Sequence, residues 1–119
     1  MKENFLVDLS KQFAVDIVNL CAEIKEHRKS NVLLNQLLRS GTSIGANINE
    51  AAYGQSKADF ISKMHIALKE TAETEYWLKL LMMAEYLSED MGNSLLKDCI
   101  EIKRILIASI NTAKEKKIN

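Results

Sequence analysis

The chain has 119 residues, enough for one domain that buries a real core, and a composition that is 47% hydrophobic and 27% charged. Its sixteen basic and sixteen acidic residues cancel, so no dominant attraction to nucleic acid or to an anionic membrane is written into the net charge. Proline is absent and only four glycines occur, which leaves few places to turn and favours long helices over many short strands.

The opening decapeptide MKENFLVDLS carries charges at Lys2, Glu3 and Asp8 and has no uninterrupted apolar run, so it does not read as a signal peptide. No stretch reaches the ~18 apolar residues of a membrane span. Cys21 and Cys99 each fall on an apolar stripe, as buried thiols of a reducing compartment do. These features together place the chain in the cytoplasm, away from membranes.

A first helix is expected from about Phe5 to Glu26, where Leu6, Leu9, Phe13, Ile17, Leu20 and Ile24 recur at steps of three and four. Ala14, Val18 and Cys21 widen that stripe. The segment His27 to Asn31 breaks the pattern, and Ser30 is placed to cap the next helix. This second helix is expected from about Val32 to Tyr53, with the stripe Leu34, Leu37, Leu38, Gly41, Ile44, Gly45, Ile48 and Ala52, and with Gly54 as its stop. Ser56 and Asp59 then read as a capping box.

The third helix is the longest, from about Lys57 to Leu87. One stripe is Phe60, Met64, Ala67, Thr71, Leu78 and Met82; a second beside it is Ile66, Trp77, Leu80 and Ala84. A helix apolar on two sides is covered on two sides, and the excess over one bundle core points to a subunit interface. Ser88 caps a fourth helix, with Glu89 and Asp90 in its first turn and the stripe Leu95, Cys99, Ile102, Leu106, Ile110 and Ala113, flanked by Ile100 and Ile107. Short connections make sequential helices antiparallel neighbours. The expected fold is all-α, an antiparallel up-down-up-down four-helix bundle forming one domain over 1–119.

Within the second helix, Gln36 to Ala52 (QLLRSGTSIGANINEAA) carries the densest information. Gly41 and Gly45 lie four apart inside a helical pattern, where each costs ~1 kcal/mol relative to alanine. That cost implies close contact with another helix. Beside them Arg39, Ser43, Asn47 and Glu50 fall on one side at steps of four, four and three. They form either a structural polar network or the wall of a ligand site, and the third helix offers Glu70, Glu73 and Glu75 as partners. Glu75 lies on the core stripe, so Arg39 is expected to pair with Glu73 or Glu75. If that pair is buried, Arg39→Ala costs roughly 3–5 kcal/mol.

Motifs for chemistry are few. A di-iron bundle needs Glu-x-x-His on two helices, but His27 and His65 are preceded at that spacing by Ile24 and Ser62. There is no phosphate loop and no histidine placed to activate Ser43. Tyr53, Tyr76, Trp77 and Tyr86 could stack on bases, but their helical spacing suits core or interface. The expectation is a non-enzymatic protein with no cofactor and no metal. The alternative is a small-molecule- or metal-binding bundle using the carboxylates of the third helix.

QLLRSGTSIGANINEA, with its Leu-Arg pair, serine, isoleucine, Ala-Asn and Glu-Ala, resembles the signature of a bacterial four-helix-bundle family. ALKETAETEYWLKLL, from Ala67 to Leu81, is similar to that family's third helix. The family comprises proteins encoded in intervening sequences of 23S ribosomal RNA genes, sometimes labelled S23 ribosomal protein. The resemblance covers nearly the whole chain. It implies an up-down-up-down bundle assembled as a homopentamer. It also implies kinship with the accessory variability determinant of diversity-generating retroelements, which binds a reverse transcriptase and nucleic acid. Carried over by position, the signature polar residues are Arg39, Ser43, Asn47, Glu50, Glu73 and Glu75, with no catalytic role.

The function so implied is an oligomeric scaffold or adaptor whose partners are other copies of itself and RNA or an RNA-binding protein. A ring of five neutral subunits would still present a multivalent basic rim. Its candidate nucleic-acid contacts are Lys57, Lys114, Lys116 and Lys117, which share one end of an antiparallel bundle; Arg28 and Lys29 sit at the other.

Overall fold

In a computed structural model of the protein, which describes residues 2–26 and 31–115, the chain forms four helices and, among the described residues, no strand. They are α1 (Lys2–Lys25), α2 (Val32–Ala52), α3 (Lys57–Met83) and α4 (Glu89–Glu115). Each packs on its sequence neighbour, and α4 closes the bundle against α1. The result is an antiparallel four-helix rod of 53 × 22 × 20 Å.

The core follows the apolar periodicities closely. Leu6, Phe13 and Ile17 of α1, Leu34, Leu37 and Ile44 of α2, Met64, Leu78 and Leu81 of α3, and Ile102 and Leu106 of α4 are all fully buried. Cys21 and Cys99 are buried free thiols, and burial pushes them up to about 11 and about 12. Among the described residues, the buried polar side chains Ser10, Ser40, Thr71 and Thr74 interrupt the core. Thr71 donates to the Ala67 carbonyl at 2.8 Å, and the hydroxyls of Ser40 and Thr74 lie 3.0 Å apart, a hydrogen bond between α2 and α3.

Several boundaries and phases differ from the periodic reading. The third helix stops at Met83 instead of continuing to Leu87. Ala84 is its cap and Glu85 takes φ 64°, while the amides of Glu85 and Tyr86 donate back to the carbonyls of Met82 and Leu81. This paired closure is a Schellman turn, with a glutamate where glycine is usual. α2 is capped at Asn31, without a side-chain hydrogen bond, and the expected cap Ser30 lies outside the described residues. Gly54 follows α2 but is not left-handed; a Cβ there would stand 3.1 Å from the Ala51 carbonyl oxygen, and this crowding accounts for the glycine. Ala51 is buried in place of Ala52. Val18, Ile100 and Ile107, read as core flanks, face outward. The caps of α3 and α4 are as read: Ser56 Oγ accepts from the Asp59 amide at 3.1 Å and Ser88 Oγ from the Met91 amide at 3.2 Å.

Candidate functional site

The glycine pair and the polar ladder occupy different sides of α2. Gly41 and Gly45 face α1. A Cβ on Gly41 would lie 3.1 Å from both Cγ1 and Cγ2 of Ile17, and one on Gly45 would lie 3.3 Å from the Ser10 carbonyl oxygen. The neighbour that requires small residues is therefore α1 of the same chain, at two successive turns of α2.

The ladder faces α3. Arg39 donates from Nη1 to both Glu70 oxygens, at 3.2 and 3.3 Å, and from Nη2 to Glu73. One guanidinium thus bridges two carboxylates on successive turns of α3, and those two raise its already high pKa further, Glu73 most. Three turns along α2, Glu50 accepts from Lys63 at 2.8 Å and holds that ammonium above its usual range. Between these ends Asn47 donates to the Ser43 carbonyl at 2.9 Å, within α2. Arg39, Ser43, Asn47 and Glu50 therefore run along one seam, with ion pairs to α3 at both ends and no cross-helix bond from the two middle residues among the described contacts.

Two expectations need correcting. Glu75 is not a partner of Arg39. It lies on the opposite flank of α3, where Lys103 of α4 stands 2.9 Å away, and its side chain keeps 14% exposure at the edge of the core. The two-residue offset between Glu73 and Glu75 is about 200° around the helix, enough to send one to α2 and the other to α4. Nor is the Arg39–Glu73 pair buried: the arginine side chain is 48% exposed and Glu73 36%, while Glu70, at 14%, is the more shielded of the two partners. An ion pair so solvated contributes well under the cost of a stranded buried charge.

Glu70, Lys63 and Lys103 complete these pairs. Glu70 is among the α3 carboxylates that the sequence offers as partners, and it precedes Glu73 by three and shares its face. Lys103 had no local signal, since only the packing of α4 on α3 brings it to Glu75. All three candidate carboxylates of α3 are thus engaged by arginine or lysine, and no group of three or more metal-ligating side chains occurs among the described residues.

Lys57 opens α3 and Lys114 lies in the last turn of α4; both are exposed, at the same end of the bundle. Lys116 and Lys117, like His27, Arg28 and Lys29, lie outside the described residues. Among the described residues, no helix is long and apolar enough to cross a membrane.

Comparison with known proteins finds likenesses of sequence and of structure. Residues 2–108 match the sequence model of the 23S rRNA-intervening sequence protein family. The fold is also similar to the crystal structure of a protein of unknown function from the S23 ribosomal protein family of Bacteroides thetaiotaomicron. That protein is 51% identical, with a TM-score of 0.89, and the alignment covers 93% of this chain and 99% of the other. No curated protein matches the chain.

Proposed function

Since the chain belongs to the 23S rRNA-intervening sequence protein family, we propose that it is a non-enzymatic, homo-oligomeric helical scaffold or adaptor whose further partner is RNA or an RNA-associated protein. One observation carries the reading. The four-helix core is complete, yet large apolar side chains remain outside it on several helices, among them Val15 and Val18 of α1, Ile66 and Tyr76 of α3, and Ile100 and Ile107 of α4. Adjoining exposed apolar side chains mark a covered face, and Val15 and Val18 adjoin at one turn's spacing on α1, as Ile100 and Ile107 do at two turns' spacing on α4. A closed ring of five copies accords with this excess and would repeat the Lys57 and Lys114 end on one rim. The engaged state of Glu70, Glu73 and Glu75 argues against a metal- or ligand-binding role for the α3 carboxylates.

Sedimentation equilibrium tests the scaffold: the expected result is a closed oligomer at micromolar concentration, and a stable monomer would refute it. Fluorescence anisotropy with a labelled RNA at ~50 mM salt tests the partner. Binding should be sequence-tolerant and steeply salt-dependent. Replacing Lys57, Lys114, Lys116 and Lys117 with glutamine should lower both affinity and salt slope. No binding by an intact oligomer would leave an RNA-associated protein as the partner.

A further inference from the structure

We propose that successive copies join head to tail, the α1–α2 face of one docking on the α2–α3 face of the next, with Lys11 of the first within reach of Glu70 of the second. This rests on the oligomeric reading above and adds which surfaces meet.

The packing fixes where each face points. Ser10, Ile17 and Cys21 of α1 meet α2, while Asp16 lies toward Asp98 of α4, whose pKa it raises. The residues that come one after the first set, Lys11, Val18 and Ala22, are rotated about 100° away from the core onto the outer edge of the α1–α2 seam. There Val15 and Val18 are 50% and 46% exposed. Across the seam α2 contributes Leu38, Thr42 and Asn49. Between Lys11 and Lys25 this face carries no charged residue, in a chain of which 27% is charged.

The α2–α3 face is different. Ile66, 39% exposed, stands between Lys63 and Glu70, and Trp77 stands beyond Glu73, its ring edge-to-face with exposed Tyr76 at 5.0 Å. One face carries small and apolar side chains between the cations Lys11 and Lys25, and the other presents bulky side chains. A stable interface covers ~800 Å² per partner, and a long side of this rod, 53 Å by about 22 Å, is large enough.

Charge also matches. Arg39 is shared by two carboxylates, so its cluster keeps one net negative charge. Lys11 is an exposed cation on the other face. Ser10 abuts Gly45, which lies along α2 between the Arg39–Glu70 and Glu50–Lys63 pairs. Lys11 therefore stands at the height of the residues between Lys63 and Glu70, and in a ring with parallel subunits that height is preserved. The two faces are adjacent sides of a four-cornered bundle. A head-to-tail contact between them turns by about a right angle per copy and closes after roughly four or five copies, where opposite faces would give an open filament.

The test uses Val18→Glu and Ile66→Glu in the full chain, with mass measured by light scattering after size exclusion and folding by circular dichroism. Each variant alone should be a folded monomer. Mixed in equal amounts they should form a dimer and nothing larger, because one intact face of each kind remains and the two altered faces repel. A monomeric wild type would overturn the oligomeric reading itself. An assembled wild type with either variant still assembled would overturn only the face assignment. Two monomeric variants that stay monomeric when mixed would overturn the head-to-tail pairing. Should either variant fail to fold, Lys11→Glu decides the charge contact. A rise of at least tenfold in the concentration needed for assembly at low salt supports it, and an unchanged concentration overturns it.

Discussion

Replacing Gly41 by alanine tests the close approach of α1 and α2 directly. Two effects oppose each other. Alanine in a helix interior gains ~1 kcal/mol over glycine. Against that, the new Cβ lies 3.1 Å from two carbons of Ile17, which is fully buried at the centre of α1. Ile17 cannot swing aside, because a β-branched residue in a helix is held to nearly one χ1 rotamer. Overpacking of this kind costs ~1–3 kcal/mol. Gly41→Ala should therefore destabilise by ~1 kcal/mol net, or ~4 °C in Tm for a domain of this size. Ile17→Ala alone should cost ~2–5 kcal/mol by opening a cavity. In that background the clash is gone, and Gly41→Ala should become stabilising by ~1 kcal/mol, its propensity gain alone. The coupling between the two sites should thus be ~1–3 kcal/mol. Gly45→Ala is the internal control. Its Cβ would meet the Ser10 backbone at 3.3 Å, and Ile17→Ala should leave its effect unchanged. Urea denaturation followed at 222 nm, at one fixed protein concentration, reads all these quantities. A stabilising Gly41→Ala in the wild-type background, or one whose sign is the same in both backgrounds, would show that Ile17 does not set the fit.

Three further outcomes are expected. Arg39→Ala should cost only about 1 kcal/mol or less, since the arginine itself is half exposed and, of its two partners, only Glu70 is largely shielded; a loss above ~3 kcal/mol would mean that the seam is buried in the assembled protein. Burial, with Asp16 adding to it, raises the Asp98 carboxyl above its ordinary value of 3.8. The native state therefore holds this proton more tightly than the unfolded chain, and the charged form costs stability above the raised value, a cost that disappears below the ordinary one. Asp98→Asn should then melt higher than wild type at pH 7 and equal to it near pH 3, and a difference that persists unchanged at acid pH would contradict the assignment. Glu85→Gly should raise stability by up to about 1 kcal/mol, because a left-handed conformation costs an L residue ~1–2 kcal/mol and glycine gives part of that back in chain entropy; a lower melting temperature would show that interactions of the Glu85 side chain outweigh its backbone strain.

Much of this molecule is legible locally. The four apolar stripes and the capping serines Ser56 and Ser88 specify helices because a period near 3.6 and a side-chain oxygen at the N-cap act within a turn or two of chain. The cost of Gly41 and Gly45 likewise announces a close neighbour from the sequence alone. The neighbour's identity is a tertiary matter: α1 presents Ile17 and Ser10 there because of how the two helices cross. The same holds for the polar groups. Periodicity places Glu73 and Glu75 on α3, but an arc of about 200° between them means nothing until α2 stands on one flank and α4 on the other. Only then does Arg39 take Glu70 and Glu73, leaving Glu75 to Lys103. Stripe width misleads for a related reason. A residue at the margin of a stripe, such as Val18, Ile100 or Ile107, is covered or bare according to how near the adjacent helix lies, a distance set by side chains far away in sequence. Ser40 and Thr74, polar in the sequence, are buried with their hydroxyls bonded to each other across the contact between α2 and α3 and to the Leu37 and Glu70 carbonyls of their own helices.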